Sequence, residues 1–161
     1  MKKPLLAILS ISLVMTIVYA DDAQKKAVND QEKSKSAKEY IEDLSSDNEE
    51  TVITAVDWIG KEKEKGAVTK LTDLLKSDKR VKVRLYAAIA LGLIGEDGYI
   101  DSLNEAFLND SSADVRYSAL LAIHRIGSMK SLDALKKAKE SESDPFIKDY
   151  IEKMESKVKK K

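Results

Sequence analysis

Apolar residues recur at intervals of three and four along most of the chain, and one arrangement occurs twice in its central part. In the first copy the apolar positions are Val83, Ala87, Ala90, Leu91 and Ile94, and in the second they are Val115, Ala119, Ala122, Ile123 and Ile126. This spacing places side chains on one stripe of an α-helix. A glycine follows each stripe, Gly95 or Gly127, and is typical of a helix end because glycine adopts left-handed backbone angles easily. The pattern predicts two equivalent amphipathic helices.

A second apolar stripe follows each of these helices. It consists of Ile100, Leu103, Ala106 and Phe107 in one copy and of Leu132, Leu135 and Ala138 in the next. The unit is therefore a helix, a glycine turn and a second helix. One such pair cannot cover its own apolar faces, so successive pairs must stack into a continuous core. The sequence predicts an all-α fold, an α-solenoid of about three helix-turn-helix repeats with terminal capping helices.

An earlier repeat precedes these two, and its stripe consists of Val52, Ala55, Val56 and Ile59. Aligning Ile59-Gly60 with Ile94-Gly95 makes the charged turn at 61–66 three residues longer than its counterparts. The same alignment places Asp43 at the position of Asp78. A longer turn predicts either a solvated loop or a contact loop, because insertions between repeats often lie at binding faces.

Two aspartate and arginine pairs complete the repeat pattern: Asp78 with Val83-Arg84, and Asp110 with Val115-Arg116. Together with the Ala-Leu-Gly-Leu-Ile-Gly run at 90–95, they resemble the HEAT family, and specifically its short bacterial, lyase-type variant. The resemblance implies that these aspartates and arginines form a ladder between neighbouring repeats and have a structural role. Some proteins with this repeat type assist chromophore attachment, so the resemblance also raises an accessory enzyme as an alternative function.

The N-terminal region has the pattern of an export signal. Residues 1–20 combine Lys2 and Lys3, an apolar stretch from Leu5, and a small-residue cleavage site ending at Ala20. We expect cleavage before Asp21, a polar linker without fixed structure at 21–36, and the repeat domain at 37–161. The competing interpretation is an uncleaved anchor, although a bilayer span needs about 20 apolar residues. The sequence predicts an exported protein, periplasmic or secreted, with no stable membrane insertion after cleavage.

Composition limits the chemistry that the chain can perform. It has 43% hydrophobic residues, no net formal charge, no cysteine and a single histidine, His124. Zero net charge gives no electrostatic reason to expect nucleic-acid binding. Without cysteine or a second histidine, the usual metal ligands and the usual base for a nucleophile are lacking. We therefore predict no catalytic, cofactor-binding or metal-binding residues, and no enzyme activity.

The remaining prediction is a non-catalytic module that binds or scaffolds a protein partner of unknown identity. In such solenoids the second helices normally line the concave face, and tryptophan is enriched at interface hot spots. The candidate partner-binding residues are Trp58, Lys70, Asp73, Ser102, Glu105 and Lys137. Packing against the cap is the alternative role of Trp58. Two further alternatives are a membrane-tethered structural protein and an anionic-surface contact through the lysines at 157–161. The oligomeric state is left open.

Overall fold

The computed structural model describes residues 35–158, which form α-helices and short 3-10 turns without a β-strand in that range. The predicted signal at 1–20 and most of the predicted linker lie outside the described residues. The α-helices are α1 (Ala37–Asp43), α2 (Glu49–Glu62), α3 (Val68–Ser77), α4 (Val81–Ile94), α5 (Ile100–Asn109), α6 (Ala113–Ile126), α7 (Leu132–Ser141) and α8 (Pro145–Val158). The structure confirms the predicted all-α solenoid.

The repeats have the same length from α2 onwards. The first helices α2, α4 and α6 begin at Glu49, Val81 and Ala113, which are 32 residues apart, and each has 14 residues. The second helices α3, α5 and α7 have 10 residues each. Pro145 begins α8 at the same 32-residue spacing from Ala113. The last helix is therefore in register with the first helices and is a fourth member of that layer.

The predicted register of the earliest repeat was wrong by three residues. Helix α2 does not end at Gly60 but continues to Glu62, and Lys63 occupies the left-handed position with φ 54° that Gly95 and Gly127 occupy in the later repeats. The turn after α2 therefore has the same length as the turns after α4 and α6. This equality removes the argument for an inserted contact loop. In the earliest repeat, the residue equivalent to Asp78 is Ser46 rather than Asp43.

Gly60 is required by helix packing instead of by a helix end. A Cβ atom added to Gly60 would lie 2.9 Å from the Cα atom of Ala90, and one added to Gly92 would lie 2.7 Å from the Cβ atom of Ala122. Such distances are below van der Waals contact, so each glycine allows the next first helix to approach closely. The first helices pack side by side through these small residues, and each second helix packs on the first helix that follows it.

The core lies between the two helix layers and continues through all repeats. Fully buried large side chains come from both layers and include Ile59, Leu71, Leu91, Leu103, Phe107 and Ile147. At one end, Tyr40 of α1 stacks on Trp58 with ring centroids 4.2 Å apart. At the other, α8 buries Ile147 and Ile151 to 1% exposure. These terminal helices cover the apolar faces of the outermost repeats.

Candidate protein-binding surfaces

The predicted ladder connects neighbouring repeats through arginine and carboxylate side chains. Arg84 donates from Nε and Nη2 to the two carboxylate oxygens of Asp110, at 2.7 and 3.0 Å, and from Nη1 to the backbone carbonyl of Asp78 at 2.8 Å. Arg116 repeats this arrangement, with distances of 2.9 and 2.8 Å to Glu142 and 3.0 Å to the carbonyl of Asp110. Each arginine thus holds its own repeat against the next, which confirms the structural role.

Glu142 was not predicted as a ladder residue, because the carboxylates at the equivalent positions of the earlier repeats, Asp78 and Asp110, are aspartates. Its distance of 32 residues from Asp110 was the available signal. The hydrogen bonds from Arg116 lower the pKa of Glu142, although burial opposes this change. Burial would raise the pKa of Asp110, but hydrogen bonds from Arg84 and the Ser112 amide lower it overall. Both carboxylates are therefore held in the charged form.

The N-terminal rung of the ladder is built differently. Val52 occupies the position of Arg84, so no arginine reaches Asp78 from the preceding repeat. Instead Arg80 pairs with Asp78 at 2.9 and 2.7 Å and donates to the carbonyls of Ser46 and Asp47 at 3.3 and 3.2 Å. The hydrogen bond from Arg80 lowers the pKa of Asp78, against the effect of burial. Arg80 thereby connects this junction to the α1–α2 loop.

Three cavities open beside the second helices: one where the α1–α2 loop meets the first repeat, and one at each of the two junctions between successive repeats. The first has a volume of about 690 Å³ and is lined by Lys70 and Asp73 together with the α1–α2 loop. The second, about 190 Å³, is lined by Ser102 and Glu105. The third, about 180 Å³, lies beside Glu142. We call this row of cavities and the exposed second-helix residues around it the second-helix face.

The structure brings four of the six candidate residues to these cavities. Asp73, Glu105 and Lys137 occupy equivalent positions of α3, α5 and α7, although Lys137 lines none of the three cavities. Lys70 donates to the carbonyl of Ile41 at 3.0 Å, and Glu105 pairs with Lys76 at 3.5 Å. The face therefore carries mixed charges.

Trp58 lies apart from these residues, in the first-helix layer. Its counterparts in the later repeats are Ala90 and Ala122, not Leu93 and Arg125 as the earlier alignment placed them. The two alanines meet a glycine of the preceding first helix. Trp58 instead fills this position with a large ring that stacks on Tyr40, at an angle of 13° between the rings. This contact favours the capping role over the interface role.

An apolar groove in the first-helix layer was not predicted. It has a volume of about 450 Å³ and is lined by residues of α4, α6 and α8: Ile89, Gly92, Leu93, Ser118, Leu121, Ala122, His124, Arg125 and Tyr150. Ile89 and Leu121 remain 40% and 37% exposed. The available signals were their 32-residue spacing and the absence of any charged residue from 85–94 of α4, which departs from the usual surface helix. We call it the first-helix groove.

Two residues of the groove lining, His124 and Tyr150, belong to a cluster of ring side chains on α6 and α8. The Nδ1 atom of His124 lies 2.7 Å from the hydroxyl oxygen of Tyr150. The ring of Tyr117 meets those of Phe146 and Tyr150 edge-on, with centroids 5.0 and 5.6 Å apart. Burial raises the pKa of the Tyr150 hydroxyl, and the nearby Tyr117 adds to this effect. The tyrosine is therefore a neutral hydrogen-bonding partner of His124, and α6 and α8 are linked beside the groove.

Two kinds of feature are absent from the described part of the chain. Between residues 35 and 158 no cluster of three histidine, aspartate or glutamate side chains has the arrangement of a metal site. None of the helices in that range is both long enough and apolar enough to span a bilayer. The second-helix face offers mixed charges and hydrogen-bonding groups to a ligand, and the first-helix groove offers aliphatic and aromatic contacts.

Comparison with known proteins identifies the repeat. The family model for HEAT repeats matches residues 68–153. A solved structure, that of the complex of CpcE and CpcF of phycocyanin lyase from Nostoc sp. PCC7120, is similar with a TM-score of 0.62 and 22% sequence identity. The similarity covers 70% of this chain but only 48% of the lyase chain, and at this identity it shows the fold alone. No curated protein matches the sequence significantly. The family match covers more than half of the sequence, and the chain therefore belongs to the HEAT-repeat family.

Proposed function

We propose that this protein is an exported, non-catalytic HEAT-repeat module that holds a partner protein on its second-helix face. The observation that carries the proposal is the row of three cavities at equivalent positions beside α3, α5 and α7. Packed helices lie about 8–10 Å apart, so a partner that contacts all three helices covers roughly 20 Å. That width suits a standard protein interface of about 800 Å² on each partner.

Rigidity supports the same proposal. The two arginine ladders hold successive repeats at fixed spacing through paired hydrogen bonds of 2.7–3.0 Å. A surface that is already ordered loses less conformational entropy when a partner binds, so more of the contact energy becomes affinity. Lys70, Asp73, Ser102, Glu105 and Lys137 are the residues that we propose for the contact. Their mixed charges favour a partner with alternating charged and polar side chains over one of uniform charge.

Export is proposed from the sequence pattern at 1–20, with a periplasmic or secreted mature protein that begins at Asp21. The mature N-terminus, determined by mass spectrometry after expression in the native host, tests this part. A chain beginning at Asp21 in a soluble fraction is expected. An intact Met1 recovered with membranes would refute cleavage and favour the membrane-tethered alternative.

The binding proposal is tested by chemical cross-linking in intact cells, followed by purification and mass spectrometry. One recurrent protein partner is expected with the unchanged chain. The charge reversals Asp73→Lys and Glu105→Lys together should remove that partner. The matched control reverses two exposed carboxylates of the first-helix layer, Glu50→Lys and Glu152→Lys, and should retain it. Equal loss in both variants, or no partner at all, would refute the assignment of this face.

An accessory subunit of a lyase is a second candidate function. The observation that favours it is the similarity of fold to a chain of the phycocyanin lyase complex. The assay is the absorbance change of a phycocyanin chromophore when it is incubated with its apoprotein and this protein. No change relative to a sample without this protein is expected if the module is non-catalytic, whereas faster attachment or removal would favour the second candidate.

A further inference from the structure

The exposed aliphatic residues of the first-helix groove are confined to two repeats. The residues equivalent to Ile89 and Leu121 are Asp57 in α2 and Lys153 in α8. Asp57 pairs with Lys61 at 2.6 Å, and Lys153 pairs with Asp149 at 2.5 Å. Polar side chains thus occupy this position in the two outer first helices, and aliphatic side chains occupy it in the two inner ones. The aliphatic patch formed by the two inner positions therefore has a polar residue on each side, as interaction sites on soluble proteins usually do.

The shape of the groove matches the side of an α-helix. Ile89 and Leu93 are four residues apart on α4, and Leu121 and Arg125 are four residues apart on α6, so each pair forms a ridge along its helix. Gly92, which has no side chain, and the small residues Ser118 and Ala122 belong to the same lining. A channel of small residues between two ridges accepts the ridge of another helix, as in helix packing inside proteins.

The charged residues around the first-helix groove indicate the chemistry of a partner that would bind there. Arg125 is the one residue of the lining with a permanent charge, and it forms no salt bridge with any carboxylate in the described part of the chain. The flanking charges of Asp57 and Lys153 are already paired on their own helices. A guanidinium at the edge of an apolar channel recognises a carboxylate, which it can bind through two parallel hydrogen bonds.

We propose that the first-helix groove is a second binding site, which accepts an amphipathic helix of a partner protein with an acidic side chain opposite Arg125. The aliphatic face of that helix contacts Ile89 and Leu121, and its ridge lies over Gly92 and Ala122. This site is separate from the second-helix face and adds a second attachment point to the proposed module. A scaffold with one site on each layer can hold two partners at once.

The test uses the purified protein and a phage-displayed library of random peptides of about 16 residues, which is roughly four to five helical turns. We expect enrichment of peptides with apolar residues spaced three and four apart and with at least one aspartate or glutamate. The same selection against Arg125→Glu should enrich peptides with lysine or arginine in place of the acidic residue. This exchange is the most specific result, because a non-specific apolar surface would not produce it.

Matched variants separate the groove from the rest of the surface. The double variant Ile89→Asp with Leu121→Asp should weaken binding of a selected peptide at least about tenfold, as loss of interface anchors does. Val81→Asp changes an equally exposed residue of the same helix, 41% exposed but outside the groove, and should leave binding unchanged. Circular dichroism of each variant checks that the fold is kept, and the Arg125→Glu exchange tests the site independently of any unfolding.

Three results would overturn the proposal. One is a selection that gives the same peptides with and without Arg125, and another is equal peptide binding by the double variant. The third is a dimer in analytical ultracentrifugation that dissociates on Leu121→Asp, since a second copy of the chain would then occupy the groove. Asp73→Lys with Glu105→Lys should leave peptide binding unchanged. A result that refutes the groove as a binding site can thereby be distinguished from one that refutes the second-helix face as a binding site.

Discussion

Replacing Arg84 by methionine is expected to destabilise the protein by about 3 kcal/mol. The Arg84 and Asp110 side chains are only 12% and 7% exposed and share two hydrogen bonds of 2.7 and 3.0 Å. Methionine retains the aliphatic stem but leaves the carboxylate with one bond, from the Ser112 amide at 2.9 Å. Removing one partner of a buried ion pair costs about 3–5 kcal/mol. We take the lower end because Arg84 still touches solvent at the repeat junction.

The assay is urea denaturation followed by far-ultraviolet circular dichroism, with the free energy of unfolding compared between variants. Lys136→Met is the matched control, because its pair with Asp133 is 74% and 87% exposed and should contribute almost nothing. The double variant Arg84→Met with Asp110→Asn should recover part of the loss, since no unpaired buried charge remains. Equal midpoints for Arg84→Met and Lys136→Met would refute the energetic role of the ladder.

Three further predictions concern the core, the C-terminal end of α2 and the pH dependence of stability. Leu91→Ala should cost about 2–5 kcal/mol in urea denaturation because Leu91 is fully buried, whereas Lys63→Ala should be nearly silent, and equal midpoints would contradict the packing described above. Lys63→Gly should instead stabilise the protein by about 0.5–1 kcal/mol, because lysine at φ 54° is strained where glycine is not; a lower thermal midpoint would be the contrary result. The pKa values of Asp110 and Glu142 are lowered in the folded protein, so the two carboxylates stabilise it fully above their unfolded-state pKa of about 4. This stabilisation is lost as pH falls through the folded-state pKa values. The urea midpoint should therefore decrease below about pH 4, and less steeply in a variant that lacks both carboxylates.

Much of the fold could be predicted because it depends on local periodicity. Apolar residues at intervals of three and four identify a helix wherever they occur, and Gly95 and Gly127 mark helix ends that the structure retains. The same reasoning misplaced Gly60, because a glycine that ends a helix and a glycine that admits a neighbouring helix look alike in a sequence. Only the 2.9 Å approach to Ala90 distinguishes the two roles.

The candidate surfaces were predictable to a smaller extent. Asp73, Glu105 and Lys137 are polar residues on the outer side of amphipathic second helices, so their exposure follows from the helix pattern alone. Ile89 and Leu121 are aliphatic, and the sequence offers no local reason for them to remain uncovered. Their exposure depends on which neighbouring helices approach that side of α4 and α6, and how closely.

The amino-acid sequence by itself determined the repeat unit, its helical character and the arginine ladder, because each depends on residue spacing within or between equivalent segments. Tertiary structure alone decided the register of the earliest repeat, the pairing of Arg80 with Asp78 and the existence of the first-helix groove. These features depend on distances between helices, such as the 2.7 Å approach that Gly92 permits towards Ala122. Packing of side chains from separate segments sets such distances, and a pattern along one helix does not contain them.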